Sequence, residues 1–195
     1  MVNMLQAREI KQAAAAAGFD LCGICRVRNF SAEQTFFEGW LERGFDGGLG
    51  YLRRNVEKRF SPAELMPGAR SVVVCGVSYK NDTSLGYGDT AVPKVASYAR
   101  SGDYHVAVKE MLYETAARLG LKEDGTGFRA FTDTAPLLEK RLACEAGLGF
   151  IGFAFFNLFF AHSFQHFALC PVIAFVKFGR SFGPEPVGPF QQPVL

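Results

Sequence analysis

Three groups of residues have the types and spacing to do chemistry. The first is Asp133, which lies between an apolar strand pattern, Phe128 to Phe131, and a helical pattern opened by Pro136 and closed by Gly147 and Gly149. An acid there can cap the helix or form an Asx-turn, its carboxylate bonded to backbone N–H groups. It can equally be a catalytic acid at the rim of a sheet, where α/β-type sites collect. Spacing alone favours the cap. The second group is Ser97, Tyr98, Arg100, Asp103, Tyr104 and His105, six hydrogen-bonding side chains within nine residues. Their density after an apolar strand and a polar loop favours a site over bare surface. The third is the basic run Arg53, Arg54, Lys58 and Arg59, which fits a solvated helix face or a phosphate contact equally well.

Other candidates carry less. Cys22 and Cys25 form a C-x-x-C, but strand alternation puts them on opposite faces, so they read as small apolar strand residues. His162 and His166 are four apart but lack the Glu of a zincin motif. Cys170-Pro171 stands alone, without the other cysteines of a cluster. No metal site is expected.

The elements that must position these groups are legible in outline. Leu5 to Ala17 is an alanine-rich helix stopped by Gly18. Phe19 to Val27 reads as a strand. Ser31 and Gln34 fit a capping box for a helix carrying Phe36, Phe37, Trp40 and Leu41. Ser61-Pro62 caps a short helix. The valines of Ser71 to Tyr79 imply a strand buried on both faces, hence a central one. The polar stretch from Lys80 to Pro93 reads as a loop. Asp103 caps a helix from Tyr104 to Leu119, ended by Gly120. Pro136 suits the first turn of the helix after Asp133. The fold class is therefore α+β, with a layered central sheet of Phe19–Val27, Ser71–Tyr79 and Phe128–Thr132 and helices around it.

The 195 residues suffice for one domain with a real core, and a net charge of +2 neither demands nor excludes nucleic acid. The odd count of five cysteines and the interrupted N-terminal pattern, with Glu9 and Gln12 breaking any apolar run, point to a reduced, cytoplasmic setting without a signal peptide.

The blocks KRFSPAELMPGARSVVV, ASYARSGDYH and TDTAPLLEKRLACEAGLGFIG occur in this order with plausible gaps. Together they resemble the N-terminal, cobalamin-binding half of epoxyqueuosine reductase, over about residues 5–152. The resemblance implies reduction of epoxyqueuosine at the tRNA wobble position to queuosine, the last step of queuosine biosynthesis. It implies a corrinoid supplied with electrons through two [4Fe–4S] clusters, an electron donor, a cytoplasmic monomer, no membrane association, and a nitroreductase-like architecture. By the resemblance Asp133 is the proton donor and lies in the corrinoid site, which Arg59 and Ser97 also line. The odds on Asp133 therefore turn toward catalysis, in surroundings expected to be apolar enough to keep a carboxyl protonated.

The resemblance stops at Gly152, where the family's Lys-Asn pair is replaced by Phe153 and Ala154. The last 50 residues hold 12 of the 20 Phe and only three charged residues, Lys177, Arg180 and Glu185, so residues 153–195 read as a divergent tail with no assigned chemistry. The Leu148 to Ala161 run, which crosses into this tail, is too short to span a membrane and contains Asn157. No four-cysteine cluster motif is present, so the chain is expected to be inactive alone. Two function classes stay open: the corrinoid-binding part of a reductase, or a non-catalytic corrinoid- or tRNA-binding remnant.

Overall fold

A computed structural model describes residues 5–78, 102–122, 127–151, 158–160 and 169–176 of the chain. Helix α1, Ala7–Ala16, follows from its alanine content; the Glu9 carboxylate accepts the Gln6 N–H at 2.6 Å, and Gly18 ends it at φ +100°. Strand β1, Leu21–Arg26, leads to α2, Ser31–Glu42. The expected capping box at α2 is absent. Ser31 is already helical, no side chain caps the helix, and the Gln34 amide side chain donates to Glu38 at 2.9 Å. The basic run is not one helix either. It divides into a 3₁₀ turn, Gly50–Arg53, and α3, Val56–Phe60, because Asn55 takes a left-handed φ of 56° between them. A second 3₁₀ turn, Pro62–Glu64, follows Ser61 and precedes β2, Ser71–Ser78.

Helix α4, Tyr104–Arg118, has the expected cap: the Asp103 carboxylate accepts the His105 N–H at 2.9 Å. Strand β3, Phe128–Phe131, is followed by α5, Glu139–Glu145, which begins three residues later than the proline suggested. The Leu137 N–H is turned onto the Ala135 carbonyl at 2.8 Å, a tight turn that takes Pro136 out of the helix and delays its start. Strands β4, Gly149–Ile151, and β5, Leu158–Phe160, pair antiparallel as a small separate sheet. Among the described residues no helix is long and apolar enough to cross a membrane.

The main sheet has four strands in the order β1-β2-β6-β3, all antiparallel, where β6 is Leu169–Val176. The α+β class is as expected, and β2 is central. The neighbour of β2 is not β3, however. Strand β6, from the segment assigned no role, is inserted between them, pairing Val73 with Ala174 on one side and Ala130 with Ala174 on the other. Its VIAFV run has strand composition, but Pro171 lacks the N–H donor a central strand uses, which argues against this place on sequence alone.

Alternation on these strands makes two cores. Val73, Cys75, Phe128 and Ala130 face α1 and α4 through Ile10, Ala14, Val108, Leu112 and Ala116. Val72, Val74 and Phe131 face the other way, onto Phe30, Phe60, Met66, Leu142 and Ala143. Cys22 and Cys25 fall on opposite faces as expected. Cys22 sits directly across from Cys75 and its sulfur is hydrogen-bonded to it, while the Cys25 thiol points at the Leu142 carbonyl, 3.8 Å away. Burial, and then Glu145, push the Cys25 thiol up to about 12, so it stays a protonated core residue.

Gly23 between the cysteines is required by close approach. A Cβ there would lie 2.5 Å from the Ala146 carbonyl oxygen and 2.9 Å from Leu148. Gly23→Ala therefore pries α5 and its C-terminal turn away from β1, and a loss of about 1–3 kcal/mol is expected, the usual range for overpacking. Urea denaturation reads it; an unchanged midpoint would mean that α5 can shift without loss.

Candidate active site

The end of β3 is anchored below and free above. Phe131 and Thr132 are buried, and the next residue, Asp133, turns left-handed at φ +51° and is exposed. Asp is among the few residues that tolerate this region, because its short polar side chain can bond locally. The turn lifts the carboxylate off the edge of the sheet.

One hydrogen bond fixes it there, and a second acidic group lies nearby. The Tyr104 hydroxyl, from the first residue of α4, donates to Asp133 Oδ2 at 2.5 Å. Tyr104 is itself held. Its ring stacks on His105 with centroids 4.0 Å apart, and His105 Nδ1 lies 2.9 Å from the Asp103 carboxylate that caps the helix. The imidazole and the His105 N–H hold the Asp103 carboxyl below the usual range. The second acidic group is Glu139, the first residue of α5. Its carboxyl lies near enough to feel the Asp133 charge. Burial, then the neighbouring Asp133 charge, push Glu139 up to about 8.

These contacts remove the helix-cap reading of Asp133. Helix α5 starts after Leu138 and has no side-chain cap, and the Asp133 carboxylate accepts the Tyr104 phenol instead. They also correct the expected apolar surroundings: Asp133 is exposed. Tyr104 and His105 join Asp133 in one cluster, a meeting the sequence did not specify. Glu139 was not among the sequence candidates. The signal that could have found it is Pro136 between two acids, which turns the chain so that the second can reach back to the first.

The remaining candidates are dispersed. Arg59 lies at the end of α3, half-buried, with its guanidinium 5.4 Å over the Phe37 ring and its buried Nε without a hydrogen-bond partner among the described residues. Arg53 does not serve a phosphate. Its Nε and one terminal nitrogen hold the buried Asp46 carboxylate at 2.8 and 2.7 Å, and that terminal nitrogen also reaches the Leu41 carbonyl. Ser97, Tyr98, Arg100, His162 and His166 lie outside the described residues.

The family profile described as "Epoxyqueuosine reductase QueG, DUF1730" matches residues 59–134, the segment from Arg59 to just past Asp133. An epoxyqueuosine reductase from Leadbetterella byssophila is 36% identical over 145 residues, 74% of this chain and 47% of that protein. Over about three-quarters of its length, the chain belongs to the epoxyqueuosine reductase family.

The solved structures agree on the fold. Epoxyqueuosine reductase from Streptococcus thermophilus superposes with a TM-score of 0.68 at 18% identity, over 91% of this chain and 47% of that one. An epoxyqueuosine reductase crystallised with an epoxyqueuosine-modified tRNA-Tyr stem loop superposes at 0.62 and 20% identity, over 88% and 45%. The chain spans about half the length of the epoxyqueuosine reductases it matches. The profile match takes in Tyr104 and Asp133 but stops short of Glu139.

Proposed function

We propose that this chain is the corrinoid-binding, acid-bearing part of an epoxyqueuosine reductase, acting on epoxyqueuosine in the anticodon loop of tRNA. The observation that carries the reading is the Asp133 carboxylate, exposed at the end of β3 and fixed by the Tyr104 hydroxyl at 2.5 Å, inside the family-matched segment. Reductive opening of an epoxide needs electrons at carbon and a proton on the departing oxygen. A bound, reduced corrinoid supplies the electrons, fed by [4Fe–4S] clusters. The proton is the part this chain's own residues supply, and Asp133 is placed to give it.

The residues fit a corrinoid in part. Arg59 keeps a buried N–H with no partner among the described residues, a donor suited to the acceptor-rich rim of such a ligand. With Ser97 and Asp133 it forms the proposed cofactor set. Arg54 and Lys58, exposed near Arg59, suit the tRNA backbone. A nitroreductase-like layering, a monomeric state and a cytoplasmic setting belong to the same reading.

The cluster ligands are not in this sequence, so the 195-residue chain given cobalamin, reductant and epoxyqueuosine stem loop should form no queuosine above a no-protein control. Joined after Gly152 to a family-type cluster-bearing half, it should. Turnover by the unjoined chain would overturn the dependence on clusters. A joined chain that binds cobalamin but never forms queuosine would overturn the catalytic reading and leave a binding role.

A further inference from the structure

We infer that Cys22 and Cys75 are a reversible redox-modification site, a thiol pair that a low-molecular-weight disulfide converts to a cross-strand disulfide. The register of the sheet carries the inference. Cys22 of β1 and Cys75 of β2 are direct partners across the antiparallel ladder. The kind of pair they make is fixed at the end of that ladder, where the Val27 N–H donates to the Arg70 carbonyl at 3.0 Å. That bond makes Arg26 and Ser71 a non-hydrogen-bonded pair, and alternation gives Ile24–Val73 and Cys22–Cys75 the same kind. The Cα atoms of such a pair stand about 4.5 Å apart, inside the roughly 4.4–6.8 Å that a disulfide spans. Both side chains face the core beneath α1 and α4.

The two sulfurs differ in access. Cys22 is half-buried, and Cys75 has no exposed surface. The Cys75 thiol, and then Lys11, hold the Cys22 thiol below its ordinary value against its burial. Cys22 is therefore the sulfur that a small reagent meets first, and Cys75 is reached through it. Their neighbours are excluded by place. Cys25 faces the opposite core, where burial keeps it protonated, and Cys144 lies on α5, where burial raises its thiol as well.

The step is two successive thiol–disulfide exchanges. The Cys22 thiolate attacks one sulfur of the small disulfide, forms a mixed disulfide and releases one thiol. Cys75 then attacks the Cys22 sulfur, and its proton goes to the second departing thiolate. The chain loses two hydrogens with their electrons, the reagent leaves as two thiols, and excess thiol reverses both exchanges. Strand β1 is an edge strand, bonded to β2 alone within the main sheet, so the new bond fastens a strand held on one side only. In a reducing setting the pair stays a dithiol, and it closes when small disulfides accumulate.

The test treats the folded 195-residue chain with glutathione disulfide, quenches with acid, alkylates the remaining thiols and maps the peptides by mass spectrometry. The expected product has lost two hydrogens, keeps no glutathione and joins Cys22 to Cys75, while Cys25 is alkylated. The same treatment in urea should scatter the bonds among the five cysteines. A native product joined elsewhere, or as scattered as in urea, would overturn the inference. So would a native chain still fully reduced when the urea sample is fully oxidised.

Variants separate the two sulfurs. Cys75→Ala should stop at a glutathione adduct on Cys22, and Cys22→Ser should leave Cys75 unmodified. Should Cys75→Ala fail to fold, Cys22→Ser, at the half-buried position, decides alone. Modification of Cys75 in that chain as fast as of Cys22 in the wild type would overturn the order of attack and with it the inference. Unfolding gives a second readout. The bond ties together residues far apart in sequence, so the oxidised chain should unfold at a higher urea midpoint than the reduced one, and dithiothreitol should restore the lower value. A midpoint lowered by oxidation would mean that the bond bends the sheet, against the register. Neither readout uses corrinoid or tRNA, so the site stands or falls apart from the proposed reaction.

Discussion

In a chain joined after Gly152 to a family-type cluster-bearing half, Asp133→Asn lowers single-turnover queuosine formation by about 100-fold or more, the usual contribution of a positioned acid. The substitution isolates the proton. Asn keeps the size of Asp, tolerates the left-handed φ of 51°, and can accept the Tyr104 hydroxyl with its amide oxygen. The turn between β3 and α5 should therefore keep its shape, and cobalamin binding should change little. What Asn cannot do is hand over the acidic proton of a carboxylic acid. Were Asp133 only a cap, Asn would replace it almost without loss, since the two are nearly equal at that position. The contacts already oppose that role, because α5 begins six residues later and its first N–H groups are not bonded to Asp133. A near-normal rate at matched corrinoid and cluster occupancy would free Asp133 from catalysis and move attention to Tyr104 and His105.

Leu142→Ala should lower the unfolding free energy by about 2–5 kcal/mol, the range for truncating a buried leucine. Leu142 has no exposed surface and packs with Val72, Val74 and Phe131 of the sheet and with Phe30 and Met66. Its carbonyl meets the Cys25 thiol, so the helix backbone is pressed onto β1 and has little room to collapse into the space left. Since domains of this size are stable by only about 5–15 kcal/mol, a large share of the fold is at stake. The consequence reaches the acid. Leu142 lies three residues after Glu139 on α5, and the helix that seats it also holds Glu139 beside Asp133. Urea denaturation measures the loss, with Leu142→Met, nearly equal in volume, as the control expected to stay within about 1.5 kcal/mol. A loss below 1 kcal/mol for Ala would mean that α5 is not packed as described.

The sequence by itself determined the local elements and the family. Alanines made α1, valines made β2, Asp103 capped α4, and the three motif blocks pointed to epoxyqueuosine reductases. These are properties of residues close in the chain, where propensity, periodicity and capping act within a turn or two. Tertiary structure decided what depends on residues far apart. Tyr104 finds Asp133 across 29 positions, and β6 enters between β2 and β3 from the segment that composition marked as divergent. Even Arg53 and Asp46, seven apart, pair only because a glycine-rich turn folds one onto the other. Glu139 shows the same limit at its shortest range. On a helix drawn from Pro136 it reads as a solvated acid. A turn that delays the helix to Glu139, with Asp133 left-handed, sets Glu139 within reach of the Asp133 charge, and no periodicity records a bend.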